Sequence, residues 1–495
     1  MTIFRSAIAL TMVNLLLRFA GTSFQVYLSG RIGAAGIGLL QLTMSVGSLA
    51  LVAGTGGIRT AAMYLCAGEL GRKKPGNVVW VLSGCFVYSL IFSTTVAVLL
   101  TVFAPFIAQT WIGDARTVDA LRLFAAFLPC CCLCGVMTGY FTAAKRIGTL
   151  AAVEVAEQLL SMVITLSALH FWAGNDPARA CLCVVLGSGL GACMTLCALT
   201  FLRLREKPSR SSPIPVAGPL CRTALPLAGA DNLRTGISTV ENLMVPKRLA
   251  LNRTVADPLA SFGCLSGMVF PVLMFPACIL FGLAELLIPE LARCHAAGSR
   301  NRISYLMKRS LKVALLYGVI FGGLLFLLAE PLCQKLYSNI QAGQLLRLYA
   351  LLIPMLYCDA ITDAMVKGLG QQKICVRYNI LTSAMDVTFL YLLLPRYGME
   401  GYFFSFFVTH LINFLLSIRR LGKITQQSVP FWIPLMAAAS VIFSICAASY
   451  VPTPIPRSIG FLLILGSCLY LCRIVTRADI RWIQSLIWKK TSPVR

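Results

Sequence analysis

Charge is what this chain of 495 residues has least of: charged residues make up 12% of it, with 18 Asp and Glu against 43 Lys and Arg. A soluble globule of that length needs more polar side chains to clothe its surface, so a water-soluble fold is excluded. No polar stretch between the apolar runs is long enough to form a soluble domain. A Walker A loop, a nucleophile elbow, a His-Glu-x-x-His motif and a dinucleotide fingerprint are also missing, which removes ATP hydrolysis within the chain as a power source. No acid and base are set out as a pair for chemistry, which argues against an enzyme. The 20 Cys are scattered through apolar runs rather than spaced in loops, so they read as small apolar side chains without a disulfide framework. Even Cys130, Cys131, Cys132 and Cys134 cannot converge on one metal ion, because consecutive residues of a helix point in different directions.

What the chain does have is apolar sequence, 58% of its residues, at a mean hydropathy of +0.80. A bilayer core of about 30 Å takes about 20 residues per helix, and runs of that length predict an all-α integral membrane protein of about fourteen spans. They fall near 8–29, 37–66, 78–103, 120–143, 151–173, 181–203, 219–245, 259–289, 311–330, 345–366, 375–395, 401–418, 430–450 and 456–474. The first run keeps Arg18 at its centre and lacks a small-residue cleavage site, so it reads as a retained helix.

A net charge of +25 would suggest nucleic acid in a soluble protein; here position along the chain matters more than size, and no nucleic-acid partner is expected. Lys and Arg gather in alternate breaks, at 72–74, 145–146, 203–210, 293–309, 373–377, 419–423 and 473–490. The positive-inside rule makes those breaks cytoplasmic, with both termini inside a bacterial plasma membrane. Lys247, Arg248 and Arg253 fall on the other side by this count and need a separate reason.

Two segments nearly repeat one another: LRLFAAFLP at Leu121–Pro129 and LRLYALLIP at Leu346–Pro354, 225 residues apart. The frame extends upstream, where Arg5–Leu10 resembles Arg222–Leu227 and Arg31 falls where Arg248 falls. Because both copies enter the membrane from the same side, the duplication is a parallel one, two six-helix lobes of the kind that builds transporters. The expected organisation is an N-lobe at 1–203, a Pro-, Ser- and cation-rich cytoplasmic linker at 204–218, a C-lobe at 219–423, and two added helices with a basic tail at 424–495.

Polar groups inside spans are costly, about 3 kcal/mol for a charge at mid-bilayer, so each should face protein or a water-filled cavity. In the first span Thr11, Asn14, Arg18, Thr22 and Gln25 follow at three- and four-residue steps and form one polar stripe. The seventh repeats the device with Asp231, Arg234, Ser238 and Glu241, flanked by Asn232, Thr235 and Asn242. In the second, the glycines of Gly54–Thr60 (GTGGIRT) weaken the helix beside Arg59, and a broken helix next to a cation suggests a binding site. Competing structural readings exist for each. Arg59 can bond freed carbonyls, Arg234 can pair with Asp231 one turn away, and His410 can be a satisfied histidine. Glu154 and Glu157 read as carboxylates near a helix N-terminus, paired with the basic turn at Lys145 and Arg146. Asp359, Asp363 and Asp386 suit either a proton or Na⁺ site or a packing network.

Gly33–Leu42 (GAAGIGLLQL), Gly57–Ala62 (GIRTAA) and Gly68–Gly71 (GELG) resemble the second-helix signature of the stage V sporulation protein B group of polysaccharide-type flippases. Val245–Leu249, Gly263–Pro271, Leu287–Leu291 and Gly368–Lys373 continue the match into the second half. That group belongs to the multidrug/oligosaccharidyl-lipid/polysaccharide exporter superfamily, together with MATE-type carriers and the lipid II flippases of peptidoglycan synthesis. The resemblance implies export of a polyprenyl-diphosphate-linked saccharide, an anionic glycolipid, from inner to outer leaflet by alternating access. It implies that Arg18 and Arg59 bind the diphosphate; Arg234, Asn14 and Gln25, from the polar stripes, are expected as further substrate contacts. It implies an ion site at Glu241 and Asn242 with Asp386 as partner, taking Na⁺ or H⁺ and no other cofactor. The added helices would extend a groove for the polyprenyl tail, and glycosyltransferases of a cell-wall pathway are the expected partners. Rival readings are a multidrug cation antiporter of the same superfamily and an export scaffold without transport.

Overall fold

A computed structural model describes residues 2–72, 74, 76–173, 176–206, 215–426 and 432–476; the side chains of 2–15, 18 and 173 lie outside that description. Among the described residues the regular structure is entirely helical, as the apolar runs predict. The helices are α1 (Thr2–Thr55), α2 (Ile58–Gly71), α3 (Asn77–Phe106), α4 (Val118–Ala143), α5 (Ile147–Ala168), α6 (Pro177–Leu204), α7 (Ala217–Leu249), α8 (Pro258–Gly263), α9 (Phe270–Met274), α10 (Ala277–Ala296), α11 (Arg300–Tyr337), α12 (Ile340–Ala350), α13 (Ile353–Gly368), α14 (Gln372–Thr425), α15 (Trp432–Ser449) and α16 (Pro454–Leu471).

Nine helical stretches of the described residues are long and apolar enough to cross a membrane, or eleven if each of two bent pairs is one span. The larger number in the sequence follows from two helices of 54 residues, α1 and α14. Straight, each would run about 80 Å at 1.5 Å per residue, far beyond a bilayer core. Each is divided by a glycine with positive φ, Gly33 (φ 72°) and Gly398 (φ 56°), a backbone geometry that L side chains rarely adopt. Each therefore supplies two passes. α7 falls short of the hydropathy criterion because Arg222, Asp231, Arg234 and Glu241 lie along it, but its 33 residues are ample to span.

The bent pairs break next to proline, which has no N–H to donate and crowds the preceding turn. The segment Pro258–Met274 meets α10 at 63° just before Pro276, and α12 meets α13 at 57° just before Pro354. Pro354 belongs to the duplicated frame, yet its copy Pro129 lies inside an unbroken α4. The same frame thus gives a bend in one copy and a continuous helix in the other.

The helices gather into two compact units, one of Met1–Pro271 with Ser383–Ser405, the other of Val272–Thr382 with Phe406–Arg495. In the first, α2 is sealed against α3 and α4 by Ile58, Ala61, Met137, Tyr140 and Phe141, all buried. The second half of α1 meets α8 without room for side chains: a Cβ on Gly263 would lie 1.9 Å from the Ala34 carbonyl oxygen and 2.5 Å from the Gly38 nitrogen. Backbone cannot swing aside as a side chain can. Gly263→Ala is therefore expected to cost about 1–3 kcal/mol by overpacking, read as a lower unfolding temperature of the detergent-purified chain; an unchanged melt would refute the close seam.

In the second unit, α15 and α16 pack on α11. Gly323 of α11 receives the Phe461 ring of α16, which is fully buried; a Cβ on Gly323 would meet that ring at 2.1 Å. Elsewhere large apolar side chains face outward in mid-helix, Val102, Phe103 and Leu463 among them. In lipid that costs nothing, so such residues mark the bilayer-facing wall.

Candidate functional site

The glycine cluster in the second span does break the helix. α1 ends at Thr55, Gly56 and Gly57 take φ of 51° and 71°, and α2 starts at Ile58. The freed Gly56 carbonyl accepts a hydrogen bond from the Tyr88 hydroxyl at 3.1 Å, while Gly57 presses on α7, where a Cβ would lie 2.6 Å from the Ala224 carbonyl oxygen. With Tyr88 on the Gly56 carbonyl, Arg59 in the first turn of α2 is exposed. Its backbone runs under α4, where Gly139 has room only for hydrogen against the Arg59 carbonyl. Its charge reaches Glu154 on α5.

That placement corrects the sequence reading of the two α5 carboxylates. α5 begins at Ile147, so Glu154 and Glu157 lie two and three turns inside it rather than at its end. Glu157 accepts from the Thr195 hydroxyl at 2.6 Å. The basic turn is satisfied by another acid: Glu206 receives hydrogen bonds from Arg146, from the Tyr140 hydroxyl at 2.5 Å and from Arg203 at 2.8 Å. One carboxylate thus ties the ends of α4 and α6 to the turn before α5. Glu206→Gln should cost about 1.5–3 kcal/mol, the range for hydrogen bonds to a charged group, whereas Glu154→Gln should leave the thermal melt in place; equal effects would contradict this assignment.

Asn14 and Arg18 have side chains outside the described residues. Gln25, on the same stripe, is half-buried and donates to the Gly267 carbonyl at 3.3 Å, beside Ser29, whose hydroxyl bonds the Gln25 carbonyl at 2.8 Å. This end of the stripe binds helix to helix. A polar group in hydrocarbon must find a partner, and the backbone beyond α8 is the partner here. Arg234 is exposed on α7, and no ion pair joins it to Asp231 among the described residues, so the local lock is not formed.

Farther along α7, Glu241 is half-buried and interacts with the carboxyl of Asp386, which is 7% exposed on the first pass of α14. Asp386 also accepts from the Ser405 hydroxyl at 2.5 Å, on the second pass of α14. Asn242 does not join this cluster: its amide donates to the Ser45 hydroxyl at 3.0 Å, next to a Thr239 bond to the Ser45 carbonyl at 3.2 Å. Ser405 was invisible in the sequence, since a lone serine in an apolar span carries no signal of the acid it faces.

Other singled-out groups find structural partners. Arg248 lies over the Tyr391 ring at 3.3 Å, and Lys247 donates to the Thr110 carbonyl, which accounts for two of the three off-side cations. In the second unit the Nδ1 of His410 donates to the Phe406 carbonyl at 2.9 Å. Asp359 accepts from Asn413 at 3.1 and 3.2 Å, and Asp363 from Ser417 at 3.2 Å, a ladder between α13 and the second pass of α14. No group of three or more His, Cys, Asp or Glu among the described residues is placed to hold a metal ion.

Taken together, these helices, with their glycine breaks and two added C-terminal helices, define a fold that is similar to that of solved membrane transporters. The lipid II flippase MurJ in an inward closed conformation matches with a TM-score of 0.71 at 13% identity, over 94% of this chain and all of that one. A multidrug resistance MATE family transporter of the MOP superfamily, inward-facing, matches with 0.66 at 13% identity, over 85% of this chain and all of that one. Residues 3–215 match the family described as polysaccharide biosynthesis protein. Stage V sporulation protein B of Bacillus subtilis (strain 168) is 23% identical over 482 residues, 93% of this chain and 90% of that protein. Sporulation protein YkvU of the same organism is 21% identical over 312 residues, 61% of this chain and 68% of that protein. The resemblance carried by the glycine signatures therefore extends along nearly the whole chain.

Proposed function

We propose that this protein carries a polyprenyl-diphosphate-linked saccharide from the inner to the outer leaflet by alternating access of the lobes 1–203 and 219–423. The observation that supports it best is Arg59, exposed where the second helix breaks and held there by glycine geometry. Diphosphate needs cations, and the guanidinium fork fits phosphate oxygens. Arg59 binds the diphosphate with Arg18 and Arg234, while Asn14 lines the path. Both termini lie on the cytoplasmic side, where the cation-rich breaks gather.

With the cytoplasm negative, outward movement of an anionic head group is favoured by about 2.3 kcal/mol per charge per 100 mV. The Glu241 and Asp386 pair then resets the empty carrier by taking up a proton or Na⁺. Two carboxyls set together in a span suit either ion. The test is movement of a polyprenyl-diphosphate saccharide between leaflets of vesicles holding the purified chain, with membrane potential, pH gradient and Na⁺ gradient imposed one at a time. Export that responds to potential and to one ion supports the reading. Indifference to all three sinks it.

Glu154 beside Arg59 keeps one rival in play, because a cation antiporter wants acids in the first lobe. Movement of an organic cation, lost in Glu154→Gln and retained in Arg59→Ala, would favour that reading.

A further inference from the structure

The polar residues in the middle of α5 do not share one fate. Glu157 turns to α6, where the Thr195 hydroxyl donates to it at 2.6 Å and a Cβ on Gly191 would lie 3.4 Å from its Cγ. Glu154 and Gln158, one turn apart on the adjoining face, are half-buried, and their side chains make no hydrogen bond or ion pair among the described residues. They lie about 10 and 17 Å along α5 from its cytoplasmic start, at 1.5 Å per residue. Polar groups at that depth need protein partners or water, so these two face a wetted path.

That path is the one that holds Arg59. The charge of Arg59 reaches Glu154. Beside Arg59 the surface of α4 is open: at Gly135 a Cβ would meet only the Arg59 Cβ, at 3.7 Å. On the opposite flank the Gln158 amide nitrogen stands 3.9 Å from where a Cβ of Gly21 would be, and Gly21 lies at the margin of the α1 stripe, three residues after Arg18. Glu154 and Gln158 therefore form a polar wall from the α2 break to the first pass of α1, within the first compact unit.

A carboxylate only accepts hydrogen bonds, while a carboxamide both donates and accepts. Adjacent hydroxyls of a pyranose ring match that pair. Because Arg59 offsets the charge of Glu154, the wall favours a neutral polyol over an organic cation. In a sugar diphosphate the anomeric oxygen joins ring to phosphate, so a phosphate held by Arg59 puts the first ring beside these two side chains.

We propose that Glu154 and Gln158 are the saccharide subsite of the cargo path: ring hydroxyls of the sugar next to the diphosphate donate to the Glu154 carboxylate and exchange hydrogen bonds with the Gln158 amide. This rests on the transport reading above and adds that the chain reads the sugar as well as the phosphate. A site built to bond hydroxyls discriminates against a ligand that lacks them, because its own polar groups are then left without partners.

The experiment titrates the purified full-length chain with undecaprenyl diphosphate, with undecaprenyl diphosphate-linked N-acetylglucosamine, and with the same glycolipid after its hydroxyls are O-acetylated, and reads affinity by native mass spectrometry. The unmodified chain should prefer the glycolipid with free hydroxyls to both others. Affinity for that ligand should fall roughly 10- to 100-fold in Glu154→Ala and roughly 3- to 10-fold in Gln158→Ala, as for hydrogen bonds to a charged and to a neutral group. Neither variant should change the affinity for undecaprenyl diphosphate or the thermal melt, and Glu154→Gln, which keeps an acceptor oxygen, should recover part of the loss. Arg59→Ala should weaken all three ligands. Equal affinity of the unmodified chain for the three would overturn the saccharide subsite and leave the diphosphate reading standing. Glu154→Ala shifting all three ligands alike would make Glu154 the counter-ion of Arg59 instead. Retention of none of them would overturn the transport reading, and this assignment with it.

Discussion

Arg59→Ala should reduce leaflet-to-leaflet movement of a polyprenyl-diphosphate saccharide roughly 10- to 100-fold, the loss expected for charge-assisted hydrogen bonds to one phosphate group. The chain should fold as before. Arg59 is exposed, its side chain makes no hydrogen bond or ion pair among the described residues, and it sits on a helix whose packing comes from Ile58, Ala61, Ala62 and Cys66 on the other face. Arg59→Lys should recover only part of the activity, because a point charge replaces a forked donor. Arg18→Ala, made in the same series, should behave alike if both arginines grip one diphosphate, and the double variant should then lose less than the product of the two single losses, as expected for groups that act together. Normal transport in Arg59→Ala would remove the diphosphate role outright, and with it the best support for an anionic cargo.

A second large effect is expected at the carboxyl pair. Glu241→Gln and Asp386→Asn should each abolish the response of transport to an imposed ion gradient while leaving the response to membrane potential. Each removes one carboxyl of the pair, so the exchangeable site disappears in both variants. A pH difference of one unit is worth about 1.4 kcal/mol per proton, so coupling one proton should change the attainable accumulation about tenfold per unit, and that factor should vanish. Ser405→Ala, which takes away only the hydroxyl donated to Asp386, should weaken the coupling without ending it. If gradient dependence follows Na⁺ rather than pH in the unmodified chain, the pair binds the cation itself. If it survives in both single variants, the ion site lies elsewhere.

Much of the bundle was legible without coordinates because a bilayer leaves few choices. Every backbone polar group must be satisfied within a helix, so an apolar run of sufficient length is a helix, and the runs predicted near 78–103, 181–203 and 311–330 fall inside α3, α6 and α11. Glycine marks the breaks for an equally local reason: Gly33, Gly56, Gly57 and Gly398 adopt backbone angles that other residues avoid. The cost of isolated charge in lipid made Arg59, Arg234 and Glu241 conspicuous. None of these inferences needs a long-range contact.

What the sequence could not supply is which polar groups meet. Gln25 and Asn242 look like lining residues by spacing, yet one bonds the Gly267 carbonyl and the other Ser45, because packing offered them partners before a cavity could. Glu206, just past the end of α6, claimed the basic turn that seemed to belong to Glu154 and Glu157. Glu241 and Asp386 lie 145 positions apart, and only the approach of α7 to α14 makes them one site. The sequence by itself determined helices, their breaks and the residues too costly to be idle, since those follow from local geometry and transfer energy. The tertiary structure alone decided the pairings, because a hydrogen bond depends on a direction and a few ångströms that no periodicity records.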